Sequence, residues 1–298
     1  MYFIDHLPHK SVAMNLSILI ALLITVILWA SAFVGIKAAL IDYSPVHLAV
    51  FRYLVASIVL VPVALWKKIR IPKRSELLRF VLIGVFGISI YNILLNTGEK
   101  TITAASSCFI INTAVVITAI ISVLFLKERV RILGWVGMLV SLMGVGMIAF
   151  GEGEGGLSAD VGGLFVFIAA ISTSIYFVVQ KPLLVKYSSL EVVTYAIWFG
   201  TLAMLPGLAG ITEEVVHASM VSTLSVVYLG VFPAVIAYVA WSYVLSQMPA
   251  SRAATFLYVV PVLSILLGFL LINEMPTVVS LIGGGVVLSG VFVVNRFG

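Results

Sequence analysis

Charged residues are scarce in this chain. Only 10% of its 298 residues are Asp, Glu, Lys or Arg, whereas roughly a quarter of a soluble domain is charged. Hydrophobic residues make up 62% and the mean hydropathy is +1.22, so a water-soluble fold is excluded. The single cysteine, Cys108, excludes an intrachain disulfide, and we expect its thiol to be buried and inert.

Long apolar runs make up most of the chain. Each run has about twenty residues, enough for a helix to cross roughly 30 Å of hydrocarbon. The sequence therefore predicts an all-α integral membrane protein with ten transmembrane helices. We place them at 16–40, 45–66, 76–98, 103–126, 131–150, 161–185, 190–210, 220–246, 250–272 and 277–296.

Basic residues are concentrated in a few of the connections between these runs. The second-to-third connection, KKIRIPKRSELLR, carries a dense basic cluster, which is typical of the cytoplasmic side of a membrane. This predicts a multi-pass protein of the cell (inner or plasma) membrane, surrounded by lipid bilayer, with cytoplasmic termini. The same clustering argues against nucleic acid as a partner, despite the net charge of +5. The connections assigned to the outside carry Asp42, Glu99, Glu152, Glu154, Asp160, Glu213, Glu214 and Glu274.

The segment GEGEGG at 151–156 has the glycine spacing of a dinucleotide-binding turn. It lies between two apolar runs rather than after a strand, and its two glutamates would repel a pyrophosphate. We interpret it as an external linker. The four histidines lie in or near aqueous segments without a carboxylate cluster at membrane depth, so we expect no metal, no cofactor and no enzyme activity. An intramembrane enzyme stays as the alternative from another functional class.

The second half of the chain repeats the first. A shift of 146 residues aligns GVF at 84–86 with GVF at 230–232, and a shift of 144 aligns Phe33 with Phe177 and Lys37 with Lys181. Five helices per repeat is an odd number, so the second repeat enters the bilayer from the opposite side. The predicted organisation is a cytoplasmic tail (1–15), a first repeat (16–150), an external linker (151–160) and a second, inverted repeat (161–298), with a central cavity between the repeats.

Three segments carry a family resemblance. YVAWSYVLSQMPASRAATFLYVVPVLSILLGFLLINE at 238–274, followed by a glycine-rich helix, resembles the C-terminal signature of EamA-type permeases of the drug/metabolite transporter superfamily. WASAFVGIKAAL from Trp29 and SPVHLAVFRYL from Ser44 resemble that family's first two helices. The resemblance covers 16–296. It implies a ten-helix exporter or exchanger of small metabolites, such as amino acids, including aromatic amino acids. The chain departs from the pattern at Val115, which stands where the second repeat has Pro261.

Polar residues at membrane depth supply the candidate substrate site. The 146-residue shift pairs Asn92 with Tyr238, Asn96 with Ser242 and Asn112 with Tyr258, and such residues are expensive in lipid unless they face a cavity or a partner. Each could instead bond a neighbouring helix, and the aromatic candidates could pack or anchor at an interface. The predicted substrate-binding set is Trp29, Arg52, Tyr91, Asn92, Asn96, Asn112, Tyr176, Tyr238, Trp241, Ser242 and Tyr258.

The placement of charge refines the functional prediction. Arg52 lies two turns inside the second helix and either clamps a substrate carboxylate or extends to the interface, whereas Lys37 is expected to extend to the interface. No acidic residue is expected near a helix centre, which predicts facilitative transport by alternating access without strong proton coupling. The leading prediction is an amino-acid exporter. A lipid-linked or phosphorylated-sugar translocator of the same fold is the alternative, and it would need more cavity cations than Arg52.

Glycines in the fifth and tenth helices, at Gly137, Gly144, Gly283 and Gly290, predict a surface where two helix backbones approach closely. This surface lies either within one bundle or between two protomers. The expected state is therefore a monomer or a homodimer.

Overall fold

The computed structural model of the protein describes residues 15–102, 104–151, 161–272 and 275–297, and no strand occurs in these ranges. The predicted tail and linker lie outside them, apart from their boundary residues at 15 and 151. The membrane-crossing helices are α1 (Leu16–Ala39), α2 (Pro45–Lys67), α3 (Arg74–Glu99), α4 (Ala104–Phe125), α5 (Ile132–Gly151), α6 (Val161–Leu184), α7 (Ser189–Leu208), α8 (Met220–Gln247), α9 (250–272) and α10 (Val278–Phe297).

Length and composition support a membrane-spanning role for these helices. Nine of the described helices are long and apolar enough to cross a bilayer, and the tenth contains the shorter apolar stretch Ala250–Leu266. Large apolar side chains are exposed on outward faces, such as Leu281 at 59% and Phe292 at 64% on α10. In hydrocarbon this exposure carries no penalty, because lipid tails are as apolar as the side chains. The all-α, ten-helix prediction is confirmed.

The helix boundaries repeat between the two halves. Helices α3, α4 and α5 begin 146 residues before α8, α9 and α10, respectively. Helices α2 and α7 are capped by Ser44 and Ser188, which are 144 residues apart and whose hydroxyls each accept an amide bond from the first turn. The sequence shifts therefore describe the three-dimensional repeat as well.

The fifth helices of the two repeats pack together in antiparallel orientation. A methyl group added at Gly137 would lie 2.8 Å from the Gly290 carbonyl oxygen, and one added at Gly144 would lie 2.7 Å from the Gly283 carbonyl oxygen. Along this contact the residue numbers increase on α5 while they decrease on α10. The two helices are therefore antiparallel, as inverted repeats require. The predicted glycine surface thus lies within one chain, and it joins the two halves.

Equivalent lysines bind equivalent helix ends. The Lys37 ammonium donates to the carbonyls of Glu99 (2.9 Å) and Ile102 (3.1 Å) at the end of α3. The Lys181 ammonium donates to the carbonyls of Leu245 and Met248 at the end of α8. A cation here satisfies orphan carbonyls and complements the negative end of the helix dipole. The Lys37 stem stays exposed, but its ammonium binds the helix end instead of extending to the interface as predicted.

Both α3 and α8 contain a π-helical turn near the middle, at Val85–Ile90 and Phe232–Ala237. These turns occupy nearly equivalent positions, although only the second contains a proline, Pro233. Wider helical turns leave carbonyl oxygens exposed to neighbouring helices. The consequence is a pair of irregular segments, one in the middle of α3 and one in the middle of α8.

Polar bonds tie the connections at the face predicted to be external. The Asp42 carboxylate accepts from the Ser219 amide (2.9 Å) and hydroxyl (2.6 Å), and these bonds hold the pKa of Asp42 below its ordinary value. The Glu214 carboxylate accepts from the Ser44 amide and lies 2.8 Å from His47 Nδ1. Each bond joins a first-repeat connection to a second-repeat connection.

The α5–α10 contact gives a stability prediction. We expect Gly290→Ala to lower the thermal unfolding midpoint in detergent, because its methyl group would lie 2.5 Å from the Gly137 carbonyl oxygen. Overpacking of this kind costs about 1–3 kcal/mol. Gly285→Ala on the same helix is the matched control, since nothing lies within 4 Å of its added methyl group. Equal midpoints for the two variants would contradict the close contact.

Candidate functional site

A cavity of about 80 Å³ lies at the centre of the bundle, between the two repeats. Helices α1, α2, α3, α4, α6, α8 and α9 all contribute to its walls, which are mainly apolar. The predicted residues that line it are Trp29, Arg52, Tyr91, Asn112 and Tyr238.

Arg52 is the cationic residue among the described cavity-lining side chains. It is only 4% exposed, and its Nε donates to the Leu229 carbonyl at 3.2 Å. That carbonyl would ordinarily accept from residue 233, but Pro233 has no N–H to donate. Arg52 therefore satisfies a backbone group that a proline released. The alternative in which Arg52 extends to the interface is wrong.

Asn92 positions the arginine without lining the cavity. Its side-chain oxygen accepts from Arg52 Nη1 at 3.2 Å, while its amide nitrogen donates to the Tyr53 hydroxyl at 2.9 Å and to the Ile88 carbonyl at 2.8 Å. These bonds fix the guanidinium between α2, α3 and α8. Further N–H donors of the guanidinium remain on a side chain that lines the cavity.

An aromatic cluster forms one wall. The Trp29 ring lies 5.5 Å from Tyr238 and 5.6 Å from Trp241, and Phe177 lies 4.9 Å from Trp241. Trp29 Nε1 donates to the Pro233 carbonyl, and the Tyr238 hydroxyl donates to a carbonyl in the π-helical turn of α3. Of this cluster, Trp241 is fully buried behind Trp29 and Phe177, so it supports the wall rather than lining it.

The remaining predicted residues lie outside the cavity lining. Asn96 donates to the Pro45 carbonyl, and Ser242 donates to Gln180, so both join neighbouring helices. Tyr176 packs against the Tyr238 ring. Tyr258 is fully buried, and its hydroxyl lacks a hydrogen-bond partner in the described part of the chain.

Sequence reasoning missed part of the cavity wall. Phe33, Ile36 and Thr173 line it beside Phe177, and they lie on α1 and α6. The sequence did contain a signal for Phe33 and Phe177, because the 144-residue shift aligns these two residues. A repeat-related aromatic pair on the first helix of each half would have pointed to the shared wall.

Glu99 requires a correction. The prediction placed it in an external connection, but it is the last residue of α3 and is only 1% exposed. Lys37 binds the helix end there, and Ile102 is also buried, so the side chain of Glu99 is enclosed by protein although Lys100 and Thr101 are exposed. The expectation that acidic residues lie in water is therefore wrong at this position.

The arrangement can recognise a small solute with one anionic group. A buried guanidinium forms strong, directional bonds with a carboxylate, and the faces of nearby aromatic rings attract a cationic group. In the described ranges no three His, Cys, Asp or Glu side chains are grouped as metal ligands.

Comparison with known proteins agrees with this architecture. The family model of EamA-like transporters matches residues 16–150 and 160–296. The uncharacterized transporter YdfC of Bacillus subtilis is 45% identical over 264 residues, covering 89% of this chain and 86% of that protein. A protein of Streptantibioticus cattleyicolor named "Probable terminal-alkyne amino-acid exporter" is 33% identical over 276 residues, covering 93% and 92%.

A solved crystal structure has a similar fold. Its TM-score is 0.75, and the match covers 95% of this chain and 99% of that one at 18% identity. Likeness at this identity concerns the fold alone. Together with a family match across both halves and relatives at 45% and 33% identity, it leads to one conclusion: the chain belongs to the EamA-like transporter family and is a multi-pass membrane transporter.

Proposed function

We propose that the protein exports amino acids across the cell membrane by alternating access. The observation that carries the proposal is Arg52, a buried cation in a central, mainly apolar cavity. A substrate carboxylate would pair with the guanidinium, and the ammonium of the same substrate would face the rings of Trp29 and Tyr238. The relative named as an amino-acid exporter supports this substrate class.

The size of the cavity favours small amino acids in this conformation. Its volume of about 80 Å³ is well below that of typical drug-sized pockets. Aromatic amino acids, which the sequence prediction included, would need the cavity to widen. Movement of one repeat against the other would widen it, because the lining residues come from both repeats.

Orientation and oligomeric state complete the proposal. Both termini face the cytoplasm, as the basic second-to-third connection indicates. The described lining residues all come from one chain, which supports a monomer or a homodimer in which each protomer has its own cavity. The expectation of facilitative transport rested on the absence of acidic residues near a helix centre, and Glu99, at the end of α3, adds a buried carboxylate that this expectation did not consider.

The alternatives receive less support. A lipid-linked or phosphorylated sugar carries more negative charge than Arg52 would neutralise, and no other described lining residue is a cation. The family and the named transporters among the relatives favour transport over intramembrane catalysis.

Arg52 provides the direct test of substrate class. In proteoliposomes, we expect counterflow of labelled L-alanine or L-valine to fall at least about tenfold in Arg52→Gln, because a charge-assisted bond contributes about 1.5–3 kcal/mol. Arg52→Lys should retain part of the activity, since it keeps the charge but loses the planar fork. Arg252→Gln is the matched control, because Arg252 bonds Asn295 away from the cavity. Wild-type transport by Arg52→Gln would exclude the carboxylate clamp.

Asn112 and Tyr258 occupy equivalent positions in the two repeats but differ in their access to the cavity. Asn112→Ala should raise the half-saturating substrate concentration about two- to tenfold, as expected for one lost hydrogen bond. Tyr258→Phe should leave it unchanged, because the hydroxyl is buried and unpartnered in the described chain. The same counterflow assay measures the half-saturating substrate concentration of both variants. An effect confined to Tyr258→Phe would show that the cavity wall is assigned incorrectly.

A further inference from the structure

Glu99 is a buried carboxylate whose charge has no direct partner. Neither side-chain oxygen has a hydrogen-bond partner within the described chain, although the side chain is only 1% exposed. Two other buried glutamates are paired, Glu76 with Lys186 and Glu191 with Arg70. An ionised carboxylate is costly to bury without such pairing, and protonation removes that cost.

Ionisable groups from several helices surround this carboxylate. The charges of Lys37 on α1 and Arg52 on α2 both act on Glu99. The charge of Glu99 in turn acts on Tyr91, on its own helix, and on Cys108 of α4. The Lys37 ammonium is engaged by main-chain carbonyls, including that of Glu99 itself.

Within the described ranges, the residues of α6 that contact this helix end are uncharged. Helix α6 contacts it through Gly162 and Val166, which meet Gly98. The ionisable residues of α6 lie at other contacts, since Tyr176 meets Gly87 and Lys181 binds the end of α8. The next residue of the chain, Lys100, is exposed.

Glu99 is close to the cavity without lining it. Arg52 and Tyr91 both form part of the cavity wall, and both interact electrostatically with Glu99. Cys108 accepts a bond from Asn112, a further wall residue. Leu95, one helical turn before Glu99 on α3, lines the cavity as well, so the carboxylate lies one turn from the cavity wall.

The second repeat shows that the helix-end structure does not need a carboxylate. Lys181 binds the end of α8 as Lys37 binds the end of α3, yet the residue equivalent to Glu99 is Leu245. Arg52 likewise corresponds to Ala196 under the 144-residue shift. The acid and the cavity cation occur together in the first repeat and are replaced together by apolar residues in the second.

We propose that Glu99 is a proton-binding site linked to the cavity, which takes up as much as one proton from water when a substrate carboxylate binds Arg52, in the pH range where the empty transporter leaves Glu99 partly ionised. This inference rests on the proposed substrate class. The incoming carboxylate brings a second negative charge toward Arg52, and repulsion in a low-dielectric interior disfavours the ionised form of Glu99. The proton adds to a Glu99 carboxylate oxygen to give the neutral acid, and no other bond changes.

Proton uptake on binding tests the linkage. Purified protein in weakly buffered detergent solution is mixed with L-alanine or L-valine between about pH 6 and 9, the range in which buried glutamates titrate. The wild type should make the solution more alkaline, by at most one proton per bound substrate. Its affinity should rise as the pH falls, by up to about tenfold per pH unit where uptake is complete.

Two variants remove the proton site. Glu99→Gln keeps the shape, and Glu99→Leu copies the residue of the second repeat; both should bind without proton uptake and with an affinity independent of pH. Glu76→Gln, which removes a buried carboxylate paired with Lys186, should retain the wild-type uptake. If either Glu99 variant folds and still takes up the proton, the assignment to Glu99 is overturned.

Counterflow at constant pH separates this inference from the proposed function. Wild-type counterflow of the amino acids without proton uptake on binding would overturn the linkage and leave the amino-acid exporter standing. An absence of counterflow for both L-alanine and L-valine would overturn the proposed function itself.

Discussion

Hydrocarbon offers no hydrogen-bond partner to a backbone carbonyl, and this constraint explains the centre of the bundle. The π-helical turns of α3 and α8, together with Pro233, disturb the regular ladder of helical bonds. Side chains from other helices complete that ladder: Arg52 binds the Leu229 carbonyl, and Trp29 binds the Pro233 carbonyl. The irregular helices are therefore stable only where the opposite repeat supplies donors.

The same side chains form the wall of the cavity, so structure and recognition depend on shared groups. Trp29, Arg52 and Tyr238 each line the cavity while donating to a carbonyl of another helix. A substrate that engages Arg52 must share the guanidinium with these backbone bonds. Binding and helix geometry are thus coupled locally, which is how a small solute can influence a movement of whole repeats.

The repeat pattern allowed the fold to be predicted, because hydrophobic length and internal shifts are visible in one sequence. The cavity was harder to predict, since each polar residue at membrane depth has two possible environments that a sequence does not distinguish. Asn96 and Asn112 illustrate this: one joins two helices and the other lines the cavity. Glu99 was placed in water because it follows the apolar run, yet Lys37 holds that helix end inside the protein.

The two halves are alike in backbone but unequal in charge. Glu99 and Arg52 stand in the first half where Leu245 and Ala196 stand in the second. A duplicated carrier with identical halves would have equal energies when open to either bathing solution. Since Glu99 and Arg52 stand in the first half alone, that equality does not hold for this chain, and the two open states of the proposed exporter would differ in energy when the cavity is empty.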